Sequence, residues 1–272
     1  MANVKKSNDS GADLGGFTTG IIIVGCIFVG WIVWSFIMGA GSNFQGGVNS
    51  GEPLPGNYLA MVYKGGPIVP VLLGCLLMVI VFSVERFMVI SKASGTANID
   101  TFMKKVQGNI ATNNIDAAIE DCDKQKGSVA NAIKAALIKH NEVKKEGMDS
   151  EAAAESISKE IEEATSLEMP MLEKHMTILS TLVSLGTLAG LLGTVTGMIK
   201  AFGALAAAAG ATDSSALASG ISEAFINTAT GISTSALAIV MYNFFTSKID
   251  TLTYSIDEAG SAIVKTYRRF KN

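Results

Sequence analysis

The amino-acid sequence predicts an all-α, polytopic membrane protein whose long helices extend beyond the bilayer. Three observations predict it. Of the 272 residues, 49% are hydrophobic and only 17% charged, a balance outside that of ordinary soluble domains. Four runs, at residues 21–38, 67–84, 176–209 and 217–246, are apolar and long enough to cross a hydrocarbon core about 30 Å thick. The lysines are unevenly spread, eleven falling in residues 91–175 against one in residues 39–66.

That asymmetry sets the expected topology, because lysine and arginine are retained on the cytoplasmic side. Residues 1–20, with Lys5 and Lys6, start inside, and residues 21–40 form a first span. Residues 41–66 form an outer loop, and residues 67–90 return inward, their apolar run ending at Glu85-Arg86. The cytoplasmic segment is residues 91–175. A long third span covers 176–209 and contains Lys200; a link at 210–216 lies outside. The fourth span, 217–247, contains Glu223, and the tail 248–272 carries Lys265, Arg268, Arg269 and Lys271. The first span, with its basic start and Gly39-Ala40-Gly41, also fits a cleaved signal sequence. Its 18-residue run exceeds the usual limit of about 15 for a signal core, which favours a retained helix.

The cytoplasmic segment reads as helices punctuated by glycine. Asn114 caps a helix over 115–124, Gly127 separates it from one over 129–141, and Gly147 and Asp149 announce a third start. From Asp149 to Ala209 the one expected bend is Pro170, so a single helix of roughly 90 Å is predicted to rise into the third span. The run Glu160-Ile161-Glu162-Glu163 reads as a wet helix face. His140 and His175 are expected on solvated faces. Cys26 and Cys75 in spans, and Cys122 in a lysine-rich loop, are expected as buried or reduced thiols, not as a disulfide framework or metal site. A net charge of -3 gives no case for a nucleic-acid partner, and no phosphate-binding glycine loop is present. No cofactor, metal or enzymatic activity is predicted.

Glu223 carries the functional signal. It is the single charge in residues 214–247, and a carboxylate at membrane depth costs about 3 kcal/mol by insertion scales, so it ordinarily faces a pore or a partner. Polar residues line up with it. At 100° per residue, Ser180, Ser184, Thr187 and Thr194 share one stripe of the third span, and Ser219, Glu223, Asn227, Thr230 and Thr234 one stripe of the fourth. Hydroxyl stripes alone fit interhelical or back-bonded hydrogen bonds as well as a lumen. Gly186, Gly190, Gly193 and Gly197 on one span and Gly220, Ala224 and Gly231 on the other predict close helix packing. Lys200 and Glu223 stand at similar depth in an antiparallel hairpin, which makes a structural ion pair the competing reading of the carboxylate.

The order Gly190-Leu-Leu-Gly-Thr194-Val-Thr-Gly197-Met-Ile-Lys-Ala-Phe202, followed by Gly220-Ile-Ser-Glu223-Ala-Phe-Ile-Asn-Thr228-Ala-Thr-Gly231-Ile, resembles the MotA/TolQ/ExbB proton-channel family, and within it the ExbB/TolQ branch. The resemblance covers residues 181–245. It implies a multi-pass protein of the bacterial inner membrane that assembles as a homo-oligomer, a pentamer, around a central pore. That pore would hold an ExbD- or TolR-like single-span partner bearing a membrane aspartate, and the complex would drive a TonB- or TolA-like periplasmic protein. Position by position it makes Glu223 the pore-lining glutamate, Thr194 the hydroxyl of the Gly-Thr-Val turn, and Thr228 the hydroxyl five residues beyond the glutamate. Thr187, Asn227, Thr230 and Lys200 are further pore-stripe candidates. Thr228 lies about 140° around the helix from Glu223, which points it toward a neighbouring subunit.

Rival readings follow from the same residues. A TolQ-like role in envelope maintenance and division shares every motif above. A MotA-like stator has four spans but typically lacks the carboxylate matching Glu223. A non-conducting scaffold would use Glu223 only to pair Lys200. A secondary transporter would need paired broken helices or an internal repeat, and the sequence has neither.

Overall fold

The computed structural model describes residues 10–207 and 214–271, and among these helices account for nearly all the chain, with no β-strand. The helices are α1 (Ser10–Ile32), α2 (Tyr58–Tyr63), α3 (Val69–Ala93), α4 (Ile99–Ala111), α5 (Ile115–Gln125), α6 (Gly127–Glu146), α7 (Ser150–Glu173), α8 (Met176–Ala207) and α9 (Ser214–Lys271). Four segments, Gly16–Met38, Gly66–Ala93, Ser150–Ala206 and Leu217–Phe270, contain stretches long and apolar enough to cross a membrane. Lys5, Lys6 and most of the predicted link at 210–216 lie outside the described residues.

The described residues divide into two compact units, one within Met1–Phe82 and Ile178–Met241, the other within Ser83–Thr177 and Tyr242–Asn272. In the first, α1 continues past Ile32 into a wider turn in which Gly39 N donates to Trp34 O at 2.9 Å, an i→i+5 bond. α1 packs on α3 through glycine: a Cβ on Gly30 would stand 2.7 Å from Pro70 O, and one on Gly74 2.8 Å from Ile27 Cα. The loop that follows is tied down by polar bonds, Asn57 capping α2 through Ala60 N and Asn43 Nδ2 donating to Ile37 O at 2.8 Å. Tyr63 stacks on Trp34 with centroids 4.7 Å apart.

In the second unit the predicted punctuation is found. Asn114 Oδ1 accepts from Ala117 N, α5 stops at Gln125, Gly147 ends α6 in a left-handed conformation, and the Asp149 side chain caps α7 through Glu151 N. Ile161 turns inward against Gly260 while Glu162 and Glu163 are exposed, so the acidic run is a wet face as read.

The predicted 90 Å helix is not continuous. Pro170 lies inside α7, and the chain breaks four residues later, with Lys174 extended at φ −50°, ψ 134° and His175 at φ 66°. Arg86 explains the place of the break. Its buried guanidinium donates Nη1 to Met171 O at 3.0 Å and Leu172 O at 3.1 Å, supplying donors to last-turn carbonyls that a helix end leaves unpaired. Glu85 pairs with Arg86 and meets His175 Nδ1 at 3.1 Å.

The histidine expectation therefore fails at both positions. His175 is half-buried on Glu85, and His140 is only 2% exposed, edge-on to Tyr267 with centroids 5.1 Å apart. Cys122 belongs to α5 and not to a loop; all three cysteines are buried, as expected. The charged tail after Lys248 is helical, an extension of α9.

Candidate functional site

The site is built where α8 and α9 approach each other closely at glycines. A Cβ on Gly197 would stand 2.9 Å from both Ala224 N and Gly220 O, one on Gly231 2.5 Å from Gly186 O, and one on Gly220 2.7 Å from Ala201 Cβ. The glycine ladder read from the sequence is thus the α8–α9 seam, where close backbone approach supplies the van der Waals contact that drives helix association in lipid.

Polar side chains fill the seam between the glycines. Thr194 and Thr228 touch through their hydroxyls, and Thr194 Oγ1 also lies 3.4 Å from Ala224 O. Thr187 donates to Ser235 Oγ at 2.9 Å. This corrects the expectation that Thr228 faces a neighbouring subunit: 140° from Glu223 it meets α8 of its own chain. Thr230 and Thr234 bond back to Ile226 O and Thr230 O at 2.8 and 2.9 Å, the local alternative open to any helical threonine. Ser180, Ser184 and Ser219 are exposed.

Lys200 and Glu223 are brought together, Nζ to Oε1 at 2.6 Å. The two ends differ in setting: the Lys200 side chain is 53% exposed and that of Glu223 only 12%. Glu223 is therefore held from its more exposed side by the Lys200 side chain.

Glu223 is covered by residues the sequence reading did not place at the site. Gly66, at φ +80°, runs so close that a Cβ there would stand 2.5 Å from Glu223 Oε1 and 3.6 Å from Lys200 Nζ. Beside it Gly65 O accepts from Asn227 Nδ2 at 2.8 Å. Asn227, one turn beyond Glu223, is fully buried, and its Oδ1 has no hydrogen-bond partner among the described residues. A Gly-Gly-Pro run marks a turn by itself, but nothing in it announces that the turn closes on a carboxylate more than 150 residues away. In this chain the Glu223–Asn227–Thr234 stripe is packed inward, with Asn227 and Thr234 at 0% exposure.

Residues 124–258 match the MotA/TolQ/ExbB proton channel family. The chain belongs to this family. No curated protein matches the chain. The MotA/TolQ/ExbB match contains the whole α8–α9 seam and all seven candidate residues, and with the four apolar helices it makes the chain a multi-pass membrane protein of proton-channel type. The Gly65–Gly66 turn comes from outside the matched segment. The family-matched seam and the turn that covers Glu223 thus come from separate parts of the sequence.

Proposed function

We propose that this chain is an ExbB-like proton-channel and motor subunit of a bacterial inner-membrane energising complex. It would assemble as a pentamer around an ExbD- or TolR-like single-span partner and drive a TonB-like periplasmic protein for outer-membrane transport. The observation that carries this reading is Glu223, buried on α9 inside the family-matched segment and held by Lys200 at 2.6 Å. The proposed topology keeps residues 91–175 and 248–272 in the cytoplasm and residues 41–66 and 210–216 in the periplasm, because the lysines and arginines fall that way.

In this mechanism a proton arriving from the periplasmic side neutralises Glu223, frees it from Lys200, and leaves toward the partner's carboxylate. Thr194 and Thr228 orient that transfer across the seam, and Thr187, Asn227 and Thr230 flank it. Each charge crossing the membrane yields about 2.3 kcal/mol per 100 mV, so several protons feed one mechanical step.

The test is Glu223→Gln, which keeps shape and removes titration. The expected result is an assembled complex with no proton flux and no energised uptake; retained uptake overturns the reading. Complementation of a strain lacking its uptake complex, set against one defective in envelope division, separates the ExbB-like from the TolQ-like role.

A further inference from the structure

We propose that Asn227 is the second seat of the Glu223 carboxyl group: ionised, Glu223 rests on Lys200; protonated, it donates its new O–H to Asn227 Oδ1. The proposal rests on the proton-carrier reading of Glu223 and supplies what that reading lacks, a place for the neutral group to go.

Three observations carry it. First, the amide orientation of Asn227 is fixed by its surroundings. Gly65 O can only accept, so the group 2.8 Å from it must be the NH2, and the carbonyl oxygen points elsewhere. Second, that oxygen is an orphan. Asn227 is 0% exposed and Oδ1 has no partner among the described residues, and a buried acceptor left unpaired keeps its desolvation cost uncompensated. It calls for a donor. Third, the nearest titratable neighbour on its own face is Glu223, four residues earlier on α9, a spacing that sets Cβ atoms about 5–6 Å apart. Ionised, a carboxylate has no donor to offer; protonated, it gains one.

The charged groups around Glu223 are consistent with two seats. α8 presents Lys200, the cation that holds the ionised form. The turn before α3 presents the backbone of Gly65 and Gly66, while the preceding loop brings Glu52 and Lys64 to the pocket that Ser219 and Ser222 of α9 line, Lys64 sending Nζ to Ser50 O at 3.2 Å. Gly66 places backbone and no side chain beside Oε1. The step balances as a proton transfer. Hydronium gives its proton to Glu223 and becomes water, Lys200 stays an ammonium, and the site gains one positive charge. The proton later leaves to a partner carboxylate or to water, and Glu223 returns to Lys200.

The experiment is infrared difference spectroscopy of the full-length protein with its single-span partner in proteoliposomes, with proton flux measured on the same preparations. The protonated carboxyl band is assigned by its loss in Glu223→Gln. In Asn227→Leu that band is expected to shift to the frequency of a carboxyl group without a hydrogen-bond acceptor, with flux lower by about tenfold, the equivalent of one lost hydrogen bond. Lys200→Met provides the second arm: it removes the ionised seat and leaves the band at its wild-type frequency. A merely structural Asn227 changes assembly and flux but not the band position, and that outcome overturns the proposal. An unshifted band with unchanged flux also overturns it, while Glu223→Gln still tests the carrier reading separately. Flux retained in Glu223→Gln removes the carrier reading itself.

Discussion

Thr194 and Thr228 meet hydroxyl to hydroxyl across the seam between α8 and α9 of a single chain. Two residues that the family pattern picks out separately, on helices joined by a link at 210–216, are therefore one polar contact in a glycine-lined interface. The seam that holds Thr194 and Thr228 also seats Glu223 about one turn away.

Replacing Thr194 by valine keeps its shape and strands the Thr228 hydroxyl. In membrane proteins such interhelical contacts are worth about 0.6 kcal/mol on average and about 1.7 at most. The expected outcome is a loss in that range for Thr194→Val and for Thr228→Val, with the double variant losing less than their sum. Full additivity in a double-mutant cycle of detergent unfolding would show that the two hydroxyls do not couple.

Gly66→Ala is expected to lower proton flux while the protein still folds and inserts. Two effects act together: φ +80° is costly for any residue with a Cβ, and that Cβ collides with Glu223 Oε1 at 2.5 Å. The comparison is Gly56→Ala, at φ +78° ahead of α2 and with open space around it. Equal flux in the two variants would mean that backbone strain, and not contact with the carboxylate, is what matters.

The sequence made the seam legible and hid its cover, for a physical reason. Glycines at helical spacing and a lone carboxylate in an apolar run are local signals, and the Lys200–Glu223 pairing follows from counting residues on either side of a short link. The Gly65–Gly66 contact and the Arg86 clamp join positions far apart in sequence, and no periodicity carries such information. Pro170 misled because it is the conspicuous helix breaker, whereas the break at Lys174 and His175 is set by Arg86 taking the carbonyls of Met171 and Leu172. His140 misled because its neighbours in sequence are polar and charged while its helix face is not.

Arg86→Met is expected to destabilise the clamp by about 3–5 kcal/mol, since it leaves Glu85 without its buried cation and two carbonyls without donors. The α7 end should then fray. Limited trypsin digestion reads this directly as faster cleavage after Lys174; an unchanged cleavage rate would assign the break to some other cause.

Cys122 should resist alkylation at neutral pH in the folded protein. Burial raises its thiol most, the carboxylates of Asp123 and Asp121 add to this, and Lys134 offsets part, leaving it pushed up to about 12. The thiolate is the reactive form. Iodoacetamide is expected to label this position only after unfolding, and stoichiometric labelling of the native protein at neutral pH would contradict the burial seen here.

His140 predicts acid lability in the helices 99–173 and the α9 tail. Burial lowers its affinity for a proton in the folded state, the ammonium of Lys144 acts in the same direction, and a bond with Asn141 opposes them. Above the ordinary histidine value of about 6.5 both folded and unfolded chains carry it neutral, and it contributes no pH dependence. As the pH falls through that value the unfolded chain takes up the proton first, so stability is lost on acidification and the loss levels off once the folded form is protonated as well. His140→Phe keeps an aromatic ring against Tyr267 and removes the titration. Denaturation midpoints between pH 7.5 and 5 are expected to fall for the wild type more steeply than for this variant, and parallel slopes would show that His140 does not set the acid response.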